Sequence, residues 1–226
     1  MTSLAAVIPA GGVGARLGAR MPKQFLRIGR TPILAMTVRH FTRHPSMAAV
    51  VVAAPAAHLA LARRILARAG RGAPATVVVG GPTRQDSVWL ALLALPGPVD
   101  VVVVHDGVRP LITRRLVDDV VRAAVESGAA ICALPIAETV KRVRGGFVEA
   151  TLDRSELWAV QTPQAFRADL LREAHEKARR DGVGGTDDAM LVERLGHPVR
   201  VVAGLPGNVK ITTPEDLRRL RRVSRR

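Results

Sequence analysis

The run Leu4-Ala5-Ala6-Val7-Ile8-Pro9-Ala10-Gly11-Gly12-Val13-Gly14-Ala15-Arg16-Leu17-Gly18 joins an unbroken apolar segment to a glycine-rich loop. Continuous rather than alternating apolar residues describe a strand covered on both faces, the kind found in parallel sheets. Similar runs follow at Ala48–Ala53, Ala75–Val79, Val99–Val104 and Ala129–Leu134. Helical patterns lie between them at Ile33–Phe41, Ala57–Ala69, Asp86–Leu95 and Thr113–Ser127. In the last of these, Leu116, Val117, Val120, Val121 and Ala124 share one face, and Thr113 stands where an N-cap belongs. Strands alternating with helices predict an α/β fold with a doubly wound, mostly parallel sheet.

After Leu134 the alternation stops. Glu138–Arg142 and Phe147–Leu152 flank Arg144-Gly145-Gly146, which predicts an extended β-hairpin arm over about residues 138–152. Helices are expected over Arg167–Arg180 and Asp187–Leu195, a strand over Val199–Ala203 and an extended piece over Asn208–Ile211. The final helix opens at Thr213-Pro214-Glu215-Asp216, with proline at its first position and acids in its first turn. No repeat or low-complexity linker divides the 226 residues, so one domain with an embedded arm is expected over 1–226.

Composition narrows the function classes. Apolar residues make up 48% and charged residues 23%, enough for a packed core. One cysteine, Cys132, excludes an intramolecular disulfide framework and a cysteine-rich zinc site. It falls within an apolar strand, as a packing residue would. Four phenylalanines, two tryptophans and no tyrosine argue against a base-stacking RNA module. No segment approaches the length that spans a bilayer, and no basic leader precedes the first strand, so a cytoplasmic protein is expected. The formal net charge is +15, with 34 Lys+Arg against 19 Asp+Glu. Six arginines crowd into residues 218–226. A nucleic-acid-binding protein is the alternative that this charge raises. No helix-turn-helix, zinc or aromatic platform signature accompanies it.

Ligands of open parallel sheets bind beyond the carboxyl ends of the strands. Three segments lie there. The loop from Pro9 to Gly18 lacks the Rossmann spacing, since Leu17 stands where the third glycine belongs, and no Gly-Lys-Ser/Thr occurs to make a P-loop. With Arg16 and Lys23 it suits a triphosphate, or else it is a tight turn with solvated charges. Gly80-Gly81-Pro82-Thr83-Arg84-Gln85-Asp86-Ser87 could hold a base edge or be a plain turn and cap. His105-Asp106-Gly107-Val108-Arg109-Pro110 places an aspartate where Mg²⁺ or a strand-end cap would use it.

These segments, with Pro22-Lys23-Gln24-Phe25, Thr139-Val140-Lys141, Leu152-Asp153-Arg154, Gln161-Thr162-Pro163-Gln164, Thr186-Asp187-Asp188 and Asn208-Val209-Lys210-Ile211, occur in one order along the chain. In that order the sequence resembles the 2-C-methyl-D-erythritol 4-phosphate cytidylyltransferase family of the non-mevalonate isoprenoid pathway. The resemblance implies a Rossmann-like nucleotidyltransferase fold and transfer of CMP from CTP to methylerythritol phosphate with Mg²⁺. It implies that Ala10, Gly11, Gly12, Gly14, Gly81 and Ser87 hold the CTP base and ribose. Arg16, Lys23 and Lys210 would handle its phosphates. Asp106 would serve Mg²⁺ and, with Arg109, Thr139, Arg154 and Thr186, the acceptor. It also implies a homodimer in which the arm carries Thr139 and Arg154 into the partner's site. Ala15 departs from many relatives, which have a second arginine there, and Pro82 from some, which have Asp or another polar residue. Another polyol phosphate, such as ribitol 5-phosphate, is the alternative acceptor. The chain ends soon after the last motif, so no fused second enzyme is expected.

The chemistry agrees with the residues. No nucleophile system or trusted metal spacing emerges from Cys132 and the six histidines. A phosphate monoester, with a second pKa near 6, is largely a dianion at pH 7 and needs no general base to attack phosphorus. The protein has only to align two anions and offset their charge. Lysine is rare here: of four, Lys23, Lys141 and Lys210 fall in the quoted motifs and only Lys177 does not.

Overall fold

The computed structural model describes residues 2–12, 21–69 and 72–223. In chain order the strands are β1 (Leu4–Pro9), β2 (Arg27–Ile28), β3 (Thr31–Pro32), β4 (Met47–Ala54), β5 (Ala75–Val79), β6 (Val101–Val104), β7 (Ala129–Pro135), β8 (Val140–Arg144), β9 (Phe147–Leu152), β10 (Trp158–Arg167) and β11 (Arg200–Ala203). The helices are α1 (Ile33–Thr42), α2 (Leu59–Ala67), α3 (Arg84–Leu93), α4 (Arg114–Ser127), α5 (Ala168–Arg180), α6 (Asp188–Glu193) and α7 (Pro214–Val223).

The main sheet has the order β11-β7-β10-β6-β1-β4-β5. All neighbours are parallel except β10, which runs antiparallel between β6 and β7. Side chains alternate between the two faces, and both faces are covered. Ala6, Ile8, Val50, Val52, Val101 and Val103 pack with α1, α2 and α4. Val7, Val51, Val102 and Val104 pack with α3, α5 and α6 on the other side. This double coverage is what the unbroken apolar runs predicted for β1, β4, β6 and β7, and burying each such valine contributes roughly 1.5 kcal/mol or more. Strand β5, at the sheet edge, departs from it, with no residue fully buried and Val79 46% exposed. A smaller cluster of Ile28, Ile33, Val108, Ile211 and Leu220 ties the β2–β3 hairpin and α7 to the loop after β6.

Local chemistry sets most boundaries. Thr113 caps α4, accepting from the Leu116 N–H at 3.2 Å. Gly128 ends that helix at φ 85°, in the left-handed region. Helix α3 begins at Arg84, two residues before the expected start, because Thr83 and Asp86 form a reciprocal capping box. The arm turns at Gly145 (φ 57°) and Gly146 (φ 86°), the two positive-φ positions of a tight hairpin, so β8 extends to Arg144 rather than ending at Arg142.

Two features depart from expectation. Strand β10 contains Gln161-Thr162-Pro163-Gln164, whose polar residues and proline argue against a central strand. The ladder with β7 shifts register between Gln161 and Gln164, so the bulge spares Pro163 a ladder hydrogen bond it could not make. The expected extended piece at Asn208–Ile211 joins no sheet.

Candidate active site

Strands β1 and β6 are neighbours at the centre of the sheet, and crossovers leave β1 for β4 on one side only. Ligand clefts form at such a switch point. A cleft of about 340 Å³ opens there, lined by residues after β1, β5 and β6 together with Lys23, Gln24 and Lys210. Its floor is built by close backbone approach. A Cβ on Gly81 would lie 2.2 Å from the Asp86 Cβ, and one on Gly107 would lie 3.1 Å from the Ala10 Cβ. The Ser87 hydroxyl accepts from the Gly81 N–H at 3.2 Å and donates to the Thr83 carbonyl at 3.0 Å. It organises the Gly80-Gly81 turn and keeps one acceptor site for a ligand. The buried Gln24 amide donates to the carbonyls of Ala10 (2.5 Å) and Gly12 (3.2 Å). The Ala10 N–H donates to the Ala53 carbonyl at 2.8 Å, so both backbone groups of Ala10 are engaged and the turn into the glycine loop is fixed.

Asp106 is the electrostatic centre. Its backbone N–H donates to the Thr162 hydroxyl at 3.0 Å, so the β10 bulge fixes the end of β6. Arg84 Nε reaches Asp106 Oδ1 at 3.2 Å, and Arg109 Nε and Lys210 Nζ reach Oδ2 at 3.3 and 2.9 Å. Burial alone would raise the Asp106 pKa, but Arg84, Lys210 and Arg109 outweigh it and hold the carboxyl well below the usual range. The Arg84 Nη1 also pairs with the buried Asp188 Oδ2 at 2.7 Å, and Asp188 Oδ1 meets His175 Nε2 at 3.0 Å. Burial would depress the Arg84 pKa; the two carboxylates overcome this and raise it. His105, next to Asp106, is fully buried and faces the Arg109 carbonyl at 3.0 Å. Burial lowers its pKa to about 4, so it is neutral at pH 7 and serves the loop.

Lys210 is set by a loop pinned at several points. Gln161 pairs with both backbone groups of Leu205 at 3.0 and 3.2 Å. The buried Asn208 amide donates to the Thr162 carbonyl at 2.7 Å, and Arg109 Nη1 donates to the Asn208 carbonyl at 2.8 Å. The Ile211 N–H bonds the Val108 carbonyl at 3.0 Å. Asp216 then anchors Thr212 and Thr213 at the start of α7.

A second cleft of about 250 Å³ shares Arg84, Asp106 and Lys210 with the first and adds Arg109, Gln161, Thr186 and Asp187. The two clefts therefore meet at the carboxylate and its cations. Of the residues expected from the sequence, Ala10, Gly11, Gly12, Lys23, Gly81, Ser87, Asp106 and Lys210 line the first cleft, and Arg109 and Thr186 join the second. Gly14, Ala15 and Arg16 lie outside the described residues. Thr139 and Arg154 line neither cleft. Both are exposed at the arm, where Arg154 donates to the Ala137 carbonyl. Pro82 lines the first cleft. Sequence reading gave no role to Gln24, Arg84, Gln161, Thr162 or Asn208. Each lies within or beside a quoted motif, and that was the available signal.

Two adjoining clefts, one walled by glycine turns and both facing clustered cations, define a nucleotidyltransferase on a doubly wound sheet. Similarity to known proteins narrows this class. The family model for 2-C-methyl-D-erythritol 4-phosphate cytidylyltransferase matches residues 4–224. A protein of that name from Geobacillus kaustophilus is 45% identical over 212 residues, covering 94% of this chain and 92% of that protein. The crystal structure of the Thermus thermophilus protein of the same name superposes with a TM-score of 0.80 at 38% identity, covering 100% and 99% of the two chains. That of 4-diphosphocytidyl-2C-methyl-D-erythritol synthase from Anaerococcus prevotii gives 0.87 at 28% identity, covering 100% and 99%. The chain belongs to the 2-C-methyl-D-erythritol 4-phosphate cytidylyltransferase family.

Proposed function

We propose that this chain transfers CMP from CTP to 2-C-methyl-D-erythritol 4-phosphate, releasing pyrophosphate, as a step towards isoprenoid precursors. The observation that carries the reading is the pair of clefts meeting at Asp106, Arg84 and Lys210. CTP takes the first cleft, with its base and ribose against Ala10–Gly12, Gly81 and Ser87, and its phosphates towards Lys23 and Lys210. Arg16, outside the described residues, is assigned to the phosphates by the family resemblance alone. The acceptor takes the second, near Arg109, Thr186 and Asp106. Its phosphate dianion attacks the α-phosphorus directly, and the bond to the β-phosphate oxygen breaks. Lys23 and Lys210 offset the charge that builds up.

Mg²⁺ fits this arrangement as a companion of the nucleotide. Among the described residues no group of three or more His, Cys, Asp or Glu converges on a metal site. A cation here would take one carboxylate, Asp106, and complete its shell with phosphate oxygens and water, as Mg²⁺ prefers. It would supply further charge neutralisation. Lys210 is the most exposed of the three cations on Asp106 and the best able to give way.

The working unit in this reading is a homodimer of single nucleotidyltransferase domains. The arm is a lone two-stranded ribbon, marginal by itself. It presents Phe147 at 80% exposure, with Val143 and Val148 also exposed. A second copy would cover these residues and receive Thr139 and Arg154 beside its acceptor cleft. Phe147→Glu is expected to shift sedimentation from dimer to monomer and to lower turnover. Unchanged sedimentation would remove the arm from assembly. CTP and the acceptor are charged metabolites that do not cross membranes unaided, which supports a cytoplasmic reaction. No helix among the described residues is long and apolar enough to cross a membrane.

Initial rates of pyrophosphate release with CTP and Mg²⁺, with methylerythritol phosphate and ribitol 5-phosphate side by side, test the reading. Faster turnover of methylerythritol phosphate is expected. Preference for ribitol 5-phosphate would reassign the acceptor.

A further inference from the structure

Thr186 reaches the acceptor cleft from the segment between α5 and α6. The Val183 N–H ties that segment back to the Ala178 carbonyl of α5 at 2.9 Å, and a residue of the nucleotide side holds it from across the fold. The Gln85 carboxamide forms a two-point clamp on it: Nε2 donates to the Val183 carbonyl at 3.1 Å, and the Gly185 N–H donates to Oε1 at 2.8 Å. The clamp spans about a hundred residues of sequence and imitates one rung of a β-ladder. Gly185 packs closely there, since a Cβ on it would lie 2.7 Å from the Leu191 Cδ2 and 2.9 Å from the Asp187 carbonyl oxygen. The segment is fixed again just beyond Thr186, where Gln164 donates to Asp187 Oδ2 at 2.8 Å and Arg84 pairs with Asp188. Gln85 is the second residue of α3, whose N-terminal turn, Gly80 to Thr83, borders the nucleotide cleft. Arg84 before it and Ser87 after it both line that cleft.

From this geometry we propose that Gln85 is a positioning residue: by clamping the 183–185 backbone it sets Thr186 at the acceptor cleft and joins that cleft mechanically to the nucleotide turn. The inference rests on the reading that the second cleft takes the acceptor phosphate. Gln85 itself lines neither cleft, so its influence runs through the clamp alone. Two backbone hydrogen bonds are lost in Gln85→Ala and in Gln85→Met, while the methionine keeps the side-chain volume. In Gln85→Glu the contact to the Gly185 N–H survives and the one to Val183 is lost.

The experiment measures steady-state kinetics of the full-length enzyme with each substrate varied, and amide hydrogen exchange of residues 183–187. Gln85→Ala and Gln85→Met are expected to raise the acceptor KM about tenfold, the loss of two modest hydrogen bonds. The KM for CTP should stay within about twofold, because the Gly80–Thr83 turn is held by Ser87 and Asp86 instead. Gln85→Glu should fall between wild type and Gln85→Met. The Gly185 amide should exchange faster in both double-loss variants. An unchanged acceptor KM, or equal rises for both substrates, would overturn the proposal. If the wild type turns over no polyol phosphate, the proposed function fails. The clamp is then decided by exchange alone, and unchanged Gly185 protection overturns it.

Discussion

Arg84→Met is expected to lower folding stability by about 3–5 kcal/mol, the cost of removing one partner from a buried ion pair. Arg84 joins two carboxylates, Asp106 and Asp188, whose side chains are 7% and 1% exposed. Asp106 keeps Arg109 and Lys210 after the change. Asp188 keeps only His175 of its ion-pair partners among the described residues, so the deeper carboxylate carries most of the loss. The Arg84 side chain as a whole is a quarter exposed, which places the effect towards the lower end of that range. Urea unfolding at neutral pH measures it. Arg84→Met combined with Asp188→Asn should recover part of the loss, because the stranded charge is then absent. A loss below about 1 kcal/mol in the single variant would mean that water entering the cleft replaces the guanidinium.

Lys210→Ala is expected to lower kcat by about a hundredfold to a thousandfold, or about 2.7–4 kcal/mol, the usual cost of losing one preorganised donor at a developing charge. The KM for either substrate should change far less, because the contact strengthens as charge builds in the transition state. Lys210 stands where the two clefts meet, 2.9 Å from Asp106, on a loop held by Gln161, Asn208 and Arg109. Lys210→Arg should not restore the rate, since a planar guanidinium cannot occupy the place of a compact ammonium between two phosphates. Lys177, paired with Asp181 on the surface of α5, gives the control: Lys177→Ala should leave kcat unchanged. Equal rates for Lys210→Ala and wild type would remove this lysine from the chemistry.

Both residues show how far the sequence could be read. Five apolar runs predicted five of the six parallel strands, because double-sided burial demands continuous apolar residues at β1, β4, β6 and β7. Strands β5 and β11, at the two edges, are only partly buried. Strand β10 escaped that logic. Its polar centre is tolerated only because the bulge lies at the site, where Thr162 supports Asp106 and Gln161 supports the Lys210 loop. The lysines stood out against thirty arginines, and Lys23 and Lys210 both line the first cleft. Arg84 was visible only as part of a motif. Its partners lie 22 and 104 residues away, and no periodicity reports a contact of that kind. The same holds for Gln24 with Ala10 and for Gln85 with Gly185, 14 and 100 residues apart. Thr139 and Arg154 show a further limit: their role was inferred through a second copy, and one chain leaves them on the arm, away from both clefts.

In the proposed reaction one active site joins the CMP of CTP to a polyol phosphate through a new phosphoanhydride bond. Phosphorus NMR of a single mixture of enzyme, CTP, Mg²⁺ and methylerythritol phosphate tests it most directly. The acceptor monoester signal is expected to disappear in step with CTP while pyrophosphate and a diphosphate diester appear in equal amounts. A monoester signal that persists unchanged, with CTP either intact or merely hydrolysed, would contradict it.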